Sequence, residues 1–589
     1  MNARPWLKYY DAGVPHTLRP YPQRTLLDVM DETTRLRPEH TSFIFKGRRI
    51  SHAELDRHST ALAAALDELG VQKGDRVVLL LPNCPQAVIS QVAAWKVGAI
   101  VAPLNPMYTE RELEGALQRC GAETAVVLTP FYAKLKVVQP RTPLRRIIAT
   151  NVKEYLPAHL RLLFTLLKEK KGGHRIHLQP GDLWLSDLLR QHARSPRPAV
   201  RVEPTDPALL LCTGGTTGTP KGALATHHSL LIAGMQVHAW VSGVLNEWQE
   251  TGILAMPLFH LMGNVGVLVP GMIGHYSGVL IPDPRDTNDL LKTIRKLRPT
   301  ILQGVPTLFI SLLSHPAVQA GKVDLSSLKL CVSGGAPLLA VTKKRFETLT
   351  GGRIIEGYAL TESMMAAVLQ PVHGPYKEGS VGVPLPDVDM RIAATDDGGA
   401  DLPPGEVGEI LLRAPQLMAG YWQSPAETAD VIRGGWLHTG DLGYMDRDGY
   451  LFIVERKKDV IKASGFQVWP REVEEVVASH PAVSEVGVAG VPDACHGEMV
   501  KAWVVLRSGQ QATEDEIRAY CRLRLAAYKV PRQVEFRAEL PKSLVGKVLR
   551  HVLVAEQASS SERRSAAGAA SGLSTTRETR PLVSAEQVA

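Results

Sequence analysis

The sequence predicts an α/β protein with a large N-terminal domain of parallel-type sheets, a β-rich subdomain and a small α+β C-terminal domain. Three observations predict it. From about residue 50 to 370, continuous apolar runs of strand length alternate with helical patterns, the signature of parallel strands buried on both faces. From about 380 to 455 the texture changes to Gly-, Pro- and Asp-rich turns between short strands, as in "DVDMRIAATDDGGADLPPGEVGEILLR". After "VERKKDVIKASG" (454–465) a compact α+β pattern follows. At 589 residues the chain exceeds a single compact core. The boundaries read as 1–455 for the N-terminal domain, with the β-rich part at about 380–455, and 456–556 for the C-terminal domain. Residues 557–589, rich in Ser, Ala and Arg and poor in apolar residues, read as a disordered tail.

The elements follow in order. "RVVLLLP" (76–82) predicts a strand, "CPQAVISQVAAWKVG" (84–98) a helix and "AIVAPLN" (99–105) a second strand. "TAVVL" (124–128), "RIIAT" (146–150), "GILAMP" (252–257), "GVLIP" (278–282) and "LKLCVSG" (328–334) continue the strand series. In the last domain Pro470 opens the helix "PREVEEVVASH", because its fixed φ suits a first helical position. "VSEVGVAGV" and "VKAWVVLRS" (500–508) read as strands, and Thr513 to Glu516 as a capping box for a helix near 514–526.

Composition excludes several classes. Lys plus Arg number 67 against 59 Asp plus Glu, a net charge of +8 spread over the whole length. No basic cluster is interleaved with aromatics, so nucleic acid is not an expected partner. The six cysteines are scattered, with neither metal-ligand spacing nor a disulfide framework, and suit reduced thiols and a cytoplasmic setting. Residues 251–282 contain no Asp, Glu, Lys or Arg and are long enough to span a bilayer. Pro257, His260, Asn264, Pro270 and His275 fall inside them, so a buried strand–loop–helix–strand passage is expected instead. Residues 153–175, "KEYLPAHLRLLFTLLKEKKGGHR", gather leucines and Phe164 on a short helix ending in Lys168, Lys170, Lys171 and Arg175. Two readings fit them: a surface helix covering the sheet, or an interfacial helix touching anionic lipid at the inner face of a membrane.

The chemistry centres on "LLLCTGGTTGTPKGALATHH" (209–228), where an apolar run stops at a Gly/Thr loop and Lys221 stands just beyond it. Free backbone N–H groups in such a loop suit phosphate. It is not a Walker A loop: Lys221 follows Pro220 and precedes Gly222, with no Ser or Thr after the lysine. Taken alone it is equally a tight turn. Its neighbours decide the matter. "TGGTTGTPKG" (213–222) resembles the phosphate-binding signature of the AMP-forming acyl- and aryl-CoA synthetases, a superfamily that also holds luciferases and peptide-synthetase adenylation domains. "PLFH" (257–260), "SGGAPL" (333–338), "EGYALTES" (356–363), "LHTGDLG" (437–443), "VERKKDVIKASGFQV" (454–468) and "PKSLVGK" (541–547) follow in the family's order. The resemblance covers about residues 25–555.

Several roles are implied by that resemblance. Thr213, Gly214, Gly215, Thr216, Thr217, Gly218, Thr219, Pro220 and Lys221 would hold the β- and γ-phosphates of ATP, with Thr216 and Glu362 at the magnesium ion. Thr361 would reach the α-phosphate. Tyr358 would stack on adenine, with Gly335, Ala336 and Pro337 on the other wall and Glu356 and Gly357 beside it. Asp441 and Arg456 would hold the ribose, and His260 would orient the carboxylate. Lys547 would bridge carboxylate and α-phosphate in the adenylation transition state, the electrostatic device expected at a transferring phosphoryl centre. The small domain would be mobile, hinged at Lys458, and would present Lys462, Ser464, Gly465 and Phe466 during thioester formation. The chain departs from the family at Ala359, where glycine is usual; the resemblance implies that this methyl narrows the acyl tunnel.

Bland readings stand beside these: a lone Glu is usually a solvated face, an Asp after Gly a turn residue, a His in an apolar run a core residue. The joint register of the motifs favours the functional set. The implied reaction joins a carboxylic acid to coenzyme A through an acyl-adenylate, with release of pyrophosphate and AMP. "VWPREVEEVV" and "LPKSLVGKVLR" look most like the long-chain fatty-acid branch. A medium-chain or aromatic acid, an acyl-AMP ligase that needs no CoA, a luciferase-like oxygenase and an inactive lipid- or nucleotide-binding homologue stay open. So does the oligomeric state, a homodimer included. A peptide-synthetase module would carry a phosphopantetheine-bearing carrier domain, and the Ser/Ala composition of the tail is not what such a domain is expected to show.

Overall fold

The computed structural model describes residues 4–213, 221–395, 399–457, 459–463, 466–493, 497–542 and 548–557. The tail from 558, the loop 214–220 and the segment 543–547 lie outside them. Two compact units result, the first ending at Ile453 and the second beginning at Val454.

Two large sheets build the first unit. One has eight strands, in the order Gly420–Tyr421, Gly222–Thr226, Pro207–Cys212, Ile100–Pro103, Arg76–Leu80, Thr124–Leu128, Arg146–Thr150 and Leu183–Trp184. From Pro207–Cys212 onward every pairing is parallel. Helix Pro85–Lys96 is buried along its whole length. Its Lys96 is tolerated there because Nζ donates to Asp56 Oδ1 at 2.6 Å, Ser59 Oγ at 2.9 Å and Thr60 Oγ1 at 2.8 Å. A buried ammonium needs that full set of acceptors.

The second sheet has fourteen strands. Thr41–Phe45, Ser277–Leu280, Thr251–Leu254, Ile301–Gly304, Leu330–Ser333 and Arg353–Leu360 form its parallel run, in that spatial order. Beyond Arg353–Leu360 the pairing turns antiparallel through Met365–Leu369 and Ser380–Pro384. The Gly/Pro-rich strands after 380 therefore extend this same sheet. The change of direction falls on the strand that carries Glu356 and Tyr358, and in open α/β sheets ligands sit at such carboxyl ends.

Residues 251–282 form the expected buried passage: strand Thr251–Leu254, a helical run with a π turn at Asn264–Leu268, then strand Ser277–Leu280. Helix Ala158–Leu167 does not cover the sheet. It buries no residue, and Leu162, Leu163, Leu166 and Leu167 are 62%, 50%, 71% and 69% exposed.

The second unit has a five-stranded sheet centred on Gly497–Leu506, which pairs with Val483–Asp493 along its length and with Gln533–Phe536 in parallel. Pro470 opens its helix Pro470–Ala478, and Thr513 makes the capping box of Glu514–Arg522. Arg550 is clamped by two carboxylates, with Nη2 2.7 Å from Glu474 Oε2 and Nη1 2.8 Å from Glu455 Oε1.

Candidate active site

The site is built at the ends of the two sheets of the first unit. Strands Pro207–Cys212 and Gly222–Thr226 pair antiparallel, with Cys212 opposite Gly222. Thr213 and Lys221 close the neck of the intervening loop: Thr213 N–H donates to the Lys221 carbonyl at 2.7 Å, and Lys221 N–H donates to Thr213 Oγ1 at 3.2 Å. Gly214, Gly215, Thr216, Thr217, Gly218, Thr219 and Pro220 lie outside the described residues. A side chain at Gly222 would put its Cβ 2.8 Å from Leu210 Cδ1, so Leu210 would have to shift to admit one.

Strand Gly420–Tyr421 pairs with Gly222–Thr226 and brings a residue that no spacing had singled out. Tyr421 donates its hydroxyl to Glu362 Oε1 at 2.6 Å. Lys221 Nζ stands 4.9 Å from the centre of the same ring and 3.0 Å from Glu427 Oε1. Burial first, and then the Glu362 carboxylate, push the Tyr421 hydroxyl well above its ordinary pKa, so it remains a donor. Lys221 and Glu362 thus flank one aromatic ring although 141 positions separate them in sequence (362 − 221).

Thr361 and Glu362 sit on a strained turn. Met364 and Met365 have φ of 49° and 125°, unusual for non-glycine residues. Ser363 Oγ braces the turn, 2.9 Å from the Leu360 carbonyl and 2.7 Å from that of Met365. On the preceding strand, buried Tyr358 donates to buried Asp441 Oδ2 at 2.7 Å. The expected adenine and ribose residues are therefore in contact with each other. Glu356 is buried, and its Oε2 accepts from the Leu338 N–H at 3.2 Å. A Cβ on Gly357 beside it would lie 2.4 Å from Leu369 Cδ2 and 3.1 Å from the Val368 carbonyl, so a side chain there would force its neighbours to shift. Gly335 has φ +79°, which favours glycine, and it, Ala336 and Pro337 are exposed. The buried Ser333 hydroxyl just before them has no partner among the described residues.

His260 caps the short helix that follows it. Its Nδ1 accepts from the Met262 N–H at 3.2 Å, so the neutral ring carries its proton on Nε2. Burial lowers its pKa and keeps it neutral. The loop that carries it is held by buried amides found only in the structure. Asn83 Nδ2 donates to the Leu254 and Met256 carbonyls at 2.8 and 2.9 Å, while Asn83 Oδ1 accepts from Leu258 N–H at 2.8 Å. Gln91 and Asn264 exchange two hydrogen bonds of 2.9–3.0 Å. Asn83, an amide closing the apolar run "LLLPN", was the sequence signal of this clamp.

Beyond the His260 loop a small apolar cavity of about 90 Å³ runs between the sheet and the helices above it. Gly266 and Gln303 line it at the end nearest Met365, whose Sδ stands 2.7 Å from where a Gly266 Cβ would be. Ala359 is exposed and is not part of this lining, so its methyl does not narrow the cavity.

In the second unit, Arg456 ends strand Leu451–Arg456 and Lys462 lies on strand Ile461–Ala463, with Phe466 opening strand Phe466–Val468. Lys458, Ser464, Gly465 and Lys547 lie outside the described residues.

Comparison with known proteins places this geometry in a family. The model of the AMP-binding enzyme family matches residues 30–422, and that of the AMP-binding enzyme C-terminal domain matches 472–547. The chain belongs to the AMP-binding enzymes. A long-chain-fatty-acid–CoA ligase of Bacillus subtilis (strain 168) is 40% identical over 559 residues, which is 94% of this chain and 98% of that one. A long-chain-fatty-acid–CoA ligase of Escherichia coli O6:H1 is 38% identical, with 93% and 97% covered. A feruloyl-CoA synthase of Amycolatopsis is 34% identical over 88% and 96%. Among solved structures, an anthranilate CoA ligase in complex with anthranoyl-AMP superposes with a TM-score of 0.77 at 29% identity, covering 90% of this chain and 96% of that one. The AMP-binding enzyme fold, with its large N-terminal part and small C-terminal part, is thus the fold of this chain.

Proposed function

We propose that this AMP-binding enzyme ligates a long-chain fatty acid to coenzyme A with ATP. A carboxylate oxygen attacks the α-phosphorus and pyrophosphate leaves; the CoA sulfur then attacks the acyl carbonyl and AMP leaves. The observation that carries this reading is the agreement of two facts. Relatives 37–40% identical across nearly the whole chain bear the name long-chain-fatty-acid–CoA ligase, and the cavity beyond the His260 loop is lined almost wholly by apolar residues. The feruloyl-CoA synthase relative supports an aromatic acid as the second reading. A panel of carboxylic acids assayed for CoA-dependent AMP release decides between them. Fatty acids of 12 carbons or more are expected to lead; a preference for ferulate, benzoates or short acids overturns the substrate.

In this reading Thr213 to Lys221 hold the phosphate tail, Thr361 reaches the α-phosphate, and Tyr358, Glu356, Gly357 and Gly335 to Pro337 enclose adenine. Asp441 and Arg456 take the ribose, and His260 offers its Nε2 proton to the carboxylate. Lys547 serves adenylation; Lys458 is the hinge; Lys462, Ser464, Gly465 and Phe466 serve the thioester step. The domains fall at 1–455 and 456–556. Magnesium would be held by Glu362, with Thr216 beside it, and by phosphate oxygens of ATP, and would neutralise charge on the phosphates. No cluster of three or more His, Cys, Asp or Glu suited to a metal occurs among the described residues. A hard cation bound through one carboxylate and substrate phosphates needs none.

The protein would work in the cytoplasm with a peripheral hold on anionic membrane. No helix among the described residues is long and apolar enough to cross a membrane. The support is helix Ala158–Leu167, whose four exposed leucines lie beside exposed Lys168, Lys170, Lys171 and Arg175. An apolar face with a cationic collar suits the headgroup boundary and gives reversible binding. Co-sedimentation with phosphatidylglycerol vesicles should be salt-sensitive and lost in Leu162→Glu/Leu166→Glu; no binding at low salt overturns it.

A further inference from the structure

Gln303 brings an amide into an otherwise apolar stretch of the cavity wall. The residue is 3% exposed, lines the cavity, and its Oε1 accepts no hydrogen bond among the described residues. Thr33 and Ser277, which also line it, have their partners: Thr33 Oγ1 donates to the Val29 carbonyl and Ser277 Oγ to the Thr41 carbonyl, both at 2.7 Å. A buried acceptor left unpaired is costly, and such groups in native proteins point to a partner that is not part of the chain.

Strand pairing puts this amide at the end of the cavity that faces the chemistry. Gln303 stands opposite Val332, one residue before the row in which Gly304 pairs with Ser333 and Ser333 with Glu356. The next backbone group, Gly334 N–H, donates to the Gly304 carbonyl at 3.2 Å, and a Cβ on Gly334 would lie 2.6 Å from Met262 Cε, two residues beyond His260. On the other side stands Gly266. A Cβ there would lie 2.5 Å from Met365 Cε, 2.7 Å from Met365 Sδ and 3.1 Å from Gln303 Nε2, so the thioether and the amide fill the space its missing side chain leaves. Met365 follows Glu362 by three residues. A methionine repacks readily and can yield to an incoming chain, whereas Gln303 is held on an interior strand of the sheet. A trapped water is a poor alternative partner, because it needs two to four polar neighbours and the side chains around the amide are those of Ile301, Val332 and Gly266.

We propose that Gln303 is a specificity residue that reads a hydroxyl group on the acid, close to its carboxyl end. The proposal rests on the fatty-acid ligase reading and adds a substrate class, hydroxylated fatty acids. A hydroxyl is both donor and acceptor, so it satisfies Oε1 and can accept from Nε2 at once. A plain alkyl chain satisfies neither and leaves the amide stripped of solvent.

The test compares kcat/KM for hexadecanoate with that for 2-, 3- and 16-hydroxyhexadecanoate in wild type, Gln303→Met and Gln303→Leu. Wild type should favour the 2- or 3-hydroxy acid over hexadecanoate by about fivefold to a hundredfold, the effect of pairing a buried acceptor. The 16-hydroxy acid, whose hydroxyl lies far from the amide, should show no such gain. Both substitutions nearly conserve volume, and melting curves check that they fold. In each the preference should reverse, hexadecanoate rising and the favoured hydroxy acid falling, because the hydroxyl is then buried without a partner. Calorimetric binding of the same acids reads the preference without turnover. A hydroxyl preference that is seen in binding and lost in the variants, while no acid supports CoA-dependent AMP release, sustains the role of Gln303 and sinks the ligase reading. Equal use of plain and hydroxylated acids by the wild type overturns the proposal, and that comparison needs no variant to fold. So does an unchanged ratio in both variants with wild-type melting and ATP binding.

Discussion

The residues around Lys221, Glu362 and Asp441 and the apolar cavity belong to the same unit of the molecule, yet they are written into the chain in opposite ways. Around Lys221, Glu362 and Asp441 each position sits in a short, recognisable motif, and the structure adds only their mutual contacts, such as the Tyr421 bond to Glu362. The cavity draws on residues from Met30 to Val332 with no motif among them. Phosphate and ribose ask for particular donors, charges and tight turns, which few residue types supply. An alkyl chain asks only for dry volume, which any apolar residue lines and only glycine opens. Discrimination among acids should therefore be separable from handling of ATP.

Three substitutions on the nucleotide side break that separation if it is wrong. Lys547→Ala should have the largest effect, slowing acyl-adenylate formation about 10²–10³-fold, the size of a lost electrostatic contact in a transition state. It should do so equally for octanoate and hexadecanoate, and spare thioester formation from presupplied acyl-adenylate in single-turnover assays. A mutant that makes adenylate at the wild-type rate removes Lys547 from the mechanism.

Tyr358→Phe comes next. It deletes the buried 2.7 Å hydrogen bond to Asp441. Leaving a buried acceptor short of a donor costs about 1–3 kcal/mol. The expected result is a rise in KM for ATP of roughly fivefold to a hundredfold with the acyl-length profile unchanged. A changed profile with normal ATP kinetics would mean that Tyr358 serves the acyl side.

Glu427→Gln should do least, and in the other direction. Both partners of the Lys221–Glu427 pair are more than a third exposed, at 37% and 45%. Such pairs contribute about 0–1 kcal/mol. If Glu427 competes with phosphate for Lys221, its loss should lower KM for ATP by up to about fivefold at low salt and by less at 0.5 M salt. An increase in KM would make Glu427 a positioning residue for Lys221 instead.

Much of the frame was legible. Strands Arg76–Leu80, Thr124–Leu128 and Arg146–Thr150 and helix Pro85–Lys96 fall where apolar runs and Pro85 put them. These are elements buried on both faces, and continuous apolarity is the cost-free way to meet that burial. Other features were not legible. Ala359 was expected in the tunnel and is exposed, because which face of a strand meets a cavity depends on register against neighbours far away in sequence. Helix Ala158–Leu167 offers its leucines to solvent, although the same spacing would suit a core face, since periodicity defines a stripe and not what covers it. Tyr421 reaches Glu362 only because a two-residue strand adds to the edge beside Lys221.

By itself the sequence determined the α/β class, the order of the elements and the polar chemistry at their ends, because strand burial and phosphate contact both impose residue types at short, local spacings. Only the tertiary structure decided which residues share the cavity. The lining residues from Leu330 through Gly252 to Phe43 are brought together by strand pairing across almost 290 positions, and pairing register is a property of the folded sheet that no local run of residues carries.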